Sequence, residues 1–180
     1  MNVPNLLATT RIGLTPVVMT FVLLRSRLDN AYGIAATIFV IAALTDFVDG
    51  YLARRWQITT TFGAFLDTVA DKILMTGIMI VLVEVDRAWS WAAFIMIARE
   101  FMVMGLRGVA AMSQSKMPPS VWGKLKTNLQ FWAIGLALVR GSSELGALFL
   151  DEWVMLAAVA ATLISGWDYL RNTGSVLRAA

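Results

Sequence analysis

The chain has 180 residues, of which 58% are hydrophobic and 15% are charged, and its formal net charge is +3. Soluble domains average about 45–50% apolar and about 25% charged residues, so this composition indicates a lipid bilayer as the solvent. The absence of cysteine and histidine excludes disulfides, thiolate nucleophiles, Cys/His zinc sites and a histidine base. In so apolar a chain, the basic balance indicates anionic lipid and no nucleic-acid partner.

Segments long enough to cross a bilayer follow one another along the chain. A spanning helix needs about 20 apolar residues, and the candidates lie at residues 7–24, 33–53, 62–83, 89–111, 122–139 and 153–170. No cleavage pattern follows the first, so we expect it to be retained. The second to fourth contain charges and should score poorly for hydropathy. We predict an all-α integral membrane protein with six transmembrane helices, in a single domain of residues 1–180.

Lysine and arginine in the short loops predict the orientation. Six spans place both termini on one side, which carries Arg54, Arg55, Lys116, Lys124, Lys126, Arg171 and Arg178, with Arg107 just inside. The other side mixes four arginines with six acidic residues. We therefore expect the first side to be cytoplasmic.

Tryptophans near the span ends fit headgroup anchoring better than ligand binding. They are Trp89, Trp91, Trp122, Trp153 and Trp167.

Four aspartates lie in or at the ends of the second and third spans. Asp46 and Asp49 are three residues apart, and Asp67 and Asp71 are four apart, so each pair shares a helix face. A short turn would make these helices antiparallel neighbours and bring the carboxylates to one depth. An intramembrane carboxylate costs about 2.5–3.5 kcal/mol, which favours a functional role. Four ionised carboxylates need a cation, and oxygen ligands alone favour Mg²⁺ or Mn²⁺.

The aspartates could instead serve a structural or a transport role. As structural groups they would form ion pairs with Arg54, Arg55 and Lys72, although fewer bases than acids are available there. As transport groups they would line a path for a cation across the membrane. Their spacing alone leaves both roles open.

Small residues and one arginine lie among these aspartates. Gly50 and Ala53 follow the first pair and Gly63 opens the third span, so a substrate or a helix can approach the backbone closely. For Ala53 alone, ordinary helix packing is the preferred interpretation. Arg54 is a planar donor suited to bidentate phosphate recognition.

The eight positions together resemble the signature of the CDP-alcohol phosphotransferase family. In this chain they are Asp46, Asp49, Gly50, Ala53, Arg54, Gly63, Asp67 and Asp71. The resemblance implies a six-helix membrane enzyme, usually a homodimer, with a polar cavity open to the cytoplasm. It implies that Asp46, Asp49 and Asp67 bind divalent metal. Asp71 would take the proton from the acceptor hydroxyl and can also ligate metal.

The resemblance further implies a CDP and diphosphate site lined by Asp49, Gly50, Ala53, Arg54 and Gly63. A diphosphate under attack by an alcohol needs the alcohol's proton removed and the leaving group's charge neutralised. These requirements agree with the roles that the resemblance gives to the carboxylates.

Other segments are similar to the phosphatidylglycerophosphate synthases of that family. They are residues 2–12, Ala98-Arg99-Glu100, Gly105-Leu106-Arg107 and residues 123–130. This similarity covers about residues 2–140, and the last forty positions match only in hydropathy. It implies transfer of a phosphatidyl group from CDP-diacylglycerol to sn-glycerol 3-phosphate. A cardiolipin synthase or a phosphatidylinositol phosphate synthase of the same superfamily is the alternative.

Four cations are candidates for binding the phosphate of the acceptor. Arg99 lies deep in the fourth span, Arg107 lies two turns further along the same face, and Lys124 and Lys126 enter the fifth span from the cytoplasmic side. Glu100 is expected to face another direction. Alternatively, Arg99 pairs with one of the aspartates, and the lysines reach the lipid headgroups.

Three polar residues of the first span have unresolved roles. Asn5, Thr9 and Arg11 could contribute at the mouth of the cavity, but their spacing does not define their chemistry. Asn5 could equally cap the first helix.

Overall fold

The computed structural model describes residues 3–56, 61–112, 121–141 and 144–177, with the side chains of residues 5–45, 62–112, 121–141 and 145–171. These residues form six α-helices, a short 3₁₀-helix and a two-stranded hairpin. The helices are α1 (Val3–Leu23), α2 (Ala31–Trp56), α3 (Thr61–Glu84), α4 (Ser90–Met112), α5 (Val121–Leu138) and α6 (Leu150–Leu177). The 3₁₀-helix Leu24–Ser26 follows α1.

Each predicted span corresponds to one helix. The largest differences lie at the chain ends, where α1 begins at Val3 and α6 continues to Leu177. The apolar pattern underestimates these helices because polar residues can extend a helix beyond its membrane-compatible part.

The hairpin before α6 was not predicted. Strand β1 (Glu144–Leu145) pairs antiparallel with β2 (Leu148–Phe149). Gly146 in the connecting turn has φ 77°, a conformation that glycine adopts without steric cost. Strands of two residues are too short to show an alternating pattern, so the sequence gives no warning of them.

The chain divides into two compact units. The first contains residues 1–87 and 137–139. Within it, α1 packs against both α2 and α3. Its core contains Phe39 from α2, Val18 from α1, and Leu74 and Ile78 from α3, all at most 1% exposed.

A glycine permits the close approach of α1 and α3. A Cβ added to Gly77 would lie 2.6 Å from Cγ2 of Thr15 and 3.1 Å from Sδ of Met19. Real Cβ atoms do not tolerate the first distance, so a larger residue would force the side chain of Thr15 or the two helices to shift. The approach fixes α1 against the helix that carries Asp67 and Asp71.

An arginine closes the first unit. The guanidinium of Arg87 lies 3.5 Å from the ring centroid of Tyr32. Its Nη1 donates to the carbonyls of Ala137 at 2.7 Å and Leu138 at 3.1 Å. These carbonyls end α5, where the helix itself offers no amide donor. Arg87 therefore satisfies a helix end and stacks on an aromatic face.

The second unit contains residues 88–136 and 140–180. Within it, α4 packs against α6. Gln130 of α5 donates through Nε2 to Oγ1 of Thr162 of α6 at 3.3 Å. Both residues are buried, so this hydrogen bond joins α5 to α6 inside the unit.

A bidentate ion pair holds the start of α6. Arg140 donates to the carboxylate of Asp151 through Nη2 at 2.6 Å and through Nε at 3.0 Å. Asp151 is 2% exposed, so this charge depends on its partner. The backbone N–H of Phe149 donates to Glu152 at 2.9 Å. The hairpin is thereby fixed to the first turn of α6.

Among the described residues, two segments are long and apolar enough to cross a membrane, Asn5–Ser26 and Leu150–Arg171. A shorter apolar segment covers Ala31–Thr45. In the described part of the chain, no segment of α2 to α4 passes as a full span, as expected, but none on α5 does either, which was not expected. Large apolar side chains remain exposed, including Phe94 at 71% and Trp132 at 60%. Such exposure is typical of surfaces that face lipid or a partner.

Candidate active site

The first part of the signature lies on α2. Its backbone is helical without interruption over Ala31–Trp56, so Asp46 and Asp49 belong to one helix and lie less than one turn apart. The side chains of residues 46–61 lie outside the described part of the chain. The metal-binding role of these two aspartates therefore stays a prediction.

The diphosphate-binding role of the residues predicted on α2 likewise stays a prediction. Gly50, Ala53 and Arg54 follow Asp49 on the helical backbone, and their side chains lie outside the described residues. The predicted turn falls in residues 57–60, which also lie outside them.

The second part of the signature lies in the first half of α3. Gly63, Asp67 and Asp71 are spaced by four residues on one continuous helix, so they lie along one side of it. All three are partly exposed, and the side chain of Asp67 is 48% exposed. This side of α3 therefore offers two accessible carboxylates and a glycine.

A buried arginine from α1 meets this side of α3. Arg11 is 0% exposed, and its Nη1 lies 3.3 Å from Oδ1 of Asp67. The close packing of α1 on α3 brings the two residues together across 56 positions of sequence. The spacing in the sequence leaves the chemistry of Arg11 undefined, and the structure identifies it as a cation paired with a signature carboxylate.

The other two residues of uncertain role lie on α1. Asn5 lies inside the helix, which begins at Val3, so the proposed cap at Asn5 is wrong. Its carbonyl accepts a hydrogen bond from Oγ1 of Thr9 at 2.8 Å. This contact belongs to the helix itself and assigns no binding role to either side chain.

The described carboxylates fit a hard divalent cation in their chemistry. Asp67 and Asp71 supply oxygen donors only, they are accessible, and they lie one helical turn apart. They are two of the four predicted ligands, and the described side chains contain no cluster of three metal-binding residues. Arg11 offsets part of the negative charge of Asp67, so the two carboxylates of Asp67 and Asp71 can lie one turn apart when no cation is bound.

In the second unit, α4 carries Arg99 in its interior. Arg99 is 8% exposed, and its Nη2 donates to Oγ of Ser165 on α6 at 2.5 Å. Its Nη1 lies 3.5 Å from Oε1 of Glu100. The expectation that Glu100 faces another direction is wrong, because its flexible side chain reaches back to its neighbour.

Arg107 lies two turns along α4 and is exposed. Its Nη2 donates to the hydroxyl of Tyr169 on α6 at 2.5 Å. The ring of Tyr169 also lies near Arg99, with distances from the ring centroid to the guanidinium carbons of 5.2 Å for Arg99 and 5.3 Å for Arg107. One tyrosine therefore contacts both arginines.

The two lysines of α5 differ in their surroundings. Lys126 is 3% exposed, and its ammonium pairs with Glu100 of α4. The alternative interpretation, headgroup contact, is therefore wrong for Lys126, because its charge lies inside the unit. Lys124 is exposed, and a headgroup or an acceptor phosphate could contact it.

The start of α5 lies beside Arg99. A Cβ added to Gly123 would lie 3.8 Å from Oγ of Ser165 and 4.0 Å from Nη2 of Arg99. On α6, a Cβ added to Gly166 would lie 3.4 Å from Cγ of Arg99. The stem and the guanidinium of Arg99 thus lie near glycines of two helices, and an added Cβ at either glycine would make only ordinary van der Waals contact with Arg99.

Comparison with known proteins decides the family. The sequence profile of the CDP-alcohol phosphatidyltransferase family matches residues 1–164. Curated proteins named CDP-diacylglycerol–glycerol-3-phosphate 3-phosphatidyltransferase are similar over nearly the whole chain. The one from Bacillus subtilis is 36% identical, covering 99% of this chain and 98% of its own. The one from Haemophilus influenzae is 38% identical and covers 98% of this chain and 96% of its own. The one from Rickettsia typhi is 36% identical and covers 94% of this chain and 96% of its own.

The chain belongs to the CDP-alcohol phosphatidyltransferase family. The resemblance noted in the signature is thereby confirmed, and the chain is a transferase of phospholipid biosynthesis rather than a cation transporter. The similarity also extends further than expected. It does not end near residue 140, because the family profile continues to residue 164 and the relatives cover at least 94% of the chain.

Sequence reasoning missed Ser165 and Tyr169. They lie four residues apart on α6, so they share the face that meets α4. Both follow the end of the family profile at residue 164. The available signal was a serine and a tyrosine at helical spacing in an apolar segment, which alone does not distinguish a functional face from ordinary packing.

Proposed function

We propose that this chain transfers the phosphatidyl group of CDP-diacylglycerol to sn-glycerol 3-phosphate, giving phosphatidylglycerophosphate and CMP. The observation that carries the proposal is similarity, over at least 94% of the chain, to proteins named for this reaction. The complete eight-position signature supports the transfer chemistry, which is common to the family.

The reaction is a displacement at phosphorus. A hydroxyl oxygen of the acceptor attacks the phosphatidyl phosphorus of the diphosphate, a new P–O bond forms, and the P–O bond to CMP breaks. Asp71 accepts the proton of that hydroxyl, and CMP departs with the bonding electron pair. Asp71 is suited to this role because it is partly exposed on α3 and lies one turn beyond Asp67.

Asp46, Asp49 and Asp67 would hold a divalent cation, Mg²⁺ or Mn²⁺, with Asp71 as a further ligand. When bound, the cation supplies neutralisation of the diphosphate charge. Arg11 holds Asp67 through its 3.3 Å contact, which fixes one carboxylate oxygen before any cation arrives. The support for this assignment is the oxygen-only chemistry of the carboxylates.

The CDP moiety and its diphosphate would bind along α2 and the start of α3. Asp49, Gly50, Ala53 and Arg54 lie within two turns of one helix, and Gly63 opens the accessible side of α3. The small residues permit close approach to the backbone, and Arg54 offers a planar pair of donors to phosphate.

The phosphate of the acceptor would bind the cations of the second unit. Arg107 and Lys124 are exposed and can present charge to a solute. Arg99 and Lys126 are buried, and Glu100 contacts both. We assign Arg99, Arg107, Lys124 and Lys126 to this subsite because a phosphate monoester requires several fixed donors.

The enzyme would act in the cell membrane as a multi-pass protein. Six helices, two of them with membrane-compatible segments, and many exposed apolar side chains support this placement. The loop bias of lysine and arginine supports an active site that faces the cytoplasm. A homodimer in the bilayer is part of the same proposal.

Acceptor dependence tests the proposal. The full chain, purified in detergent with CDP-diacylglycerol and Mg²⁺ or Mn²⁺, should release CMP when sn-glycerol 3-phosphate is added, and EDTA should stop the release. Asp46→Asn is the inactive control. Turnover with inositol phosphate or phosphatidylglycerol, without turnover with glycerol 3-phosphate, would instead identify a phosphatidylinositol phosphate synthase or a cardiolipin synthase.

A further inference from the structure

Two hydroxyl groups on α6 meet the two arginines of α4. Ser165 accepts a hydrogen bond from Arg99, and Tyr169 accepts one from Arg107, each at 2.5 Å. Ser165 and Tyr169 are four residues apart, so they lie one above the other on α6. We refer to Ser165 and Tyr169 as the hydroxyl pair.

The hydroxyl pair is buried, whereas one of its partners is exposed. Ser165 is 0% exposed and Tyr169 is 4% exposed, so neither is placed to contact a solute directly. Arg107 is exposed, and its guanidinium can reach a solute while one nitrogen stays on Tyr169. The pair can therefore influence a bound anion only through the arginines.

The ring of Tyr169 adds a second contact to each arginine. Both guanidinium carbons lie between 5.2 and 5.3 Å from its centroid, within the range of a cation–π interaction. Two like charges near one ring repel each other unless something compensates them. A negative aromatic face and two hydroxyl acceptors supply part of this compensation, beside the carboxylate of Glu100, which lies 3.5 Å from Nη1 of Arg99.

Arginine side chains otherwise lose considerable freedom on binding. Each loses rotamer entropy when it is fixed. Holding both guanidinium groups in place before the ligand arrives reduces that cost at the moment of binding.

We propose that the hydroxyl pair positions Arg99 and Arg107 for a phosphate monoester, so that Ser165 and Tyr169 are positioning residues for the acceptor. This inference rests on the proposed function for the identity of the acceptor. The inference adds to the proposed function by assigning a role to two residues of α6 that follow the end of the family profile at residue 164.

Tyr169→Phe removes the hydroxyl and keeps the ring. In the full chain in detergent, we expect the Kd for glycerol 3-phosphate, measured by calorimetry, to rise about five- to twentyfold, which is less than for loss of a direct hydrogen bond to a charged group because Tyr169 acts through Arg107. The binding of inorganic phosphate should weaken by a similar factor. At saturating acceptor, kcat should stay within about threefold and the KM for CDP-diacylglycerol within about twofold, because neither depends on these arginines.

The first unit offers a matched control. Tyr32 also lies under an arginine, with the guanidinium carbon of Arg87 at 3.5 Å from its ring centroid. Tyr32→Phe makes the same chemical change beside a different arginine, so it should leave the Kd for glycerol 3-phosphate and for phosphate unchanged. A similar weakening in both variants would overturn the inference.

A double variant tests whether Tyr169 acts through Arg107. In an Arg107→Gln background, Tyr169→Phe should raise the Kd for glycerol 3-phosphate by less than about a further twofold, because the guanidinium that Tyr169 positions is absent. Two effects that simply multiply would overturn the inference. So would unchanged acceptor binding in Tyr169→Phe, or a joint change in kcat and both KM values, which indicates a general structural role.

Ser165→Ala provides a second route if Tyr169→Phe does not fold. It removes the acceptor of Arg99, and we expect a similar selective weakening of phosphate binding. Its control is Thr20→Ala, because Thr20 is exposed and donates only to the carbonyl of Pro16 on its own helix in the described contacts. Equal phosphate binding in the Ser165→Ala variant and the wild type would contradict the inference.

The binding measurements separate this inference from the proposed function. If the acceptor is another phosphomonoester, wild type will not release CMP with glycerol 3-phosphate, yet Tyr169→Phe will still weaken the binding of inorganic phosphate. If the proposed function holds and the inference fails, wild type will be active and the hydroxyl-pair variants will bind phosphate normally.

Discussion

The two units of the chain hold their charges in different ways. In the first, an accessible carboxylate on α3, that of Asp67, meets a buried arginine from α1, Arg11. In the second, arginines on α4 meet hydroxyl groups from α6. A carboxylate surface can hold a cation and, through it, a diphosphate, whereas arginines held largely by hydroxyl groups, with Glu100 beside Arg99, can bind an anion. We therefore expect substitutions in the two units to affect different substrates.

The largest effect should come from Asp71. Asp71→Asn removes the proposed base while keeping the shape of the side chain, and kcat should fall about 10²- to 10⁴-fold with little change in the KM for CDP-diacylglycerol. Initial rates of CMP release measure both constants. Asp86→Asn is the control, because Asp86 is exposed and its φ of 56° is also accessible to asparagine. Near-normal turnover in Asp71→Asn would exclude its role as base.

Arg107→Gln, in the second unit, tests whether that unit binds the acceptor. Loss of a charged phosphate donor should raise the KM for glycerol 3-phosphate about 10- to 100-fold and leave the KM for CDP-diacylglycerol nearly unchanged. Arg54→Gln is the matched substitution in the first unit and should show the opposite pattern. If both variants raise the same KM, the assignment of substrates to units is wrong.

Arg11→Met should have a smaller effect on turnover, of about tenfold. It removes a buried charge and leaves Asp67 without this partner, but Asp67 is 48% exposed, so water compensates part of the loss. We expect a lower thermal midpoint and a higher Mn²⁺ concentration for half-maximal activity. Arg25→Met, at an exposed position, should change neither. Unchanged metal dependence in Arg11→Met would contradict the proposed support of Asp67.

Arg140→Gln should have the smallest effect on catalysis. It breaks the bidentate pair with buried Asp151, so we expect a loss of about 2–3 kcal/mol of stability. Both KM values should stay within about twofold, because this pair holds the start of α6 rather than a substrate. Thermal unfolding followed beside the kinetic assay separates the two effects. A selective change in either KM would show that Arg140 belongs to a binding site.

The sequence predicted the helices and the family well, for physical reasons. Apolar length defines a membrane-compatible helix, and carboxylates in such a helix are costly enough to be informative, as with Asp67 and Asp71. Contacts between distant helices were harder to predict. The pairing of Arg11 with Asp67 depends on the packing allowed by Gly77, and no local spacing encodes it.

Flexible side chains account for the error at Glu100. The position of its Cβ on the helix indicates one direction, but a long carboxylate can reach Arg99 beside it and Lys126 on another helix. The hydroxyl pair was missed because serine and tyrosine in an apolar helix are common. Their importance emerges only from the arginines opposite them.

The most direct test of the central claim follows the acceptor into the lipid. Purified chain, CDP-diacylglycerol and Mg²⁺ or Mn²⁺ are incubated with sn-glycerol 3-phosphate that carries ¹³C at every carbon, and the lipids are analysed by mass spectrometry. We predict a labelled phosphatidylglycerophosphate formed in equal amount to CMP. CMP release without labelled lipid, or the same rate without glycerol 3-phosphate, would contradict the account.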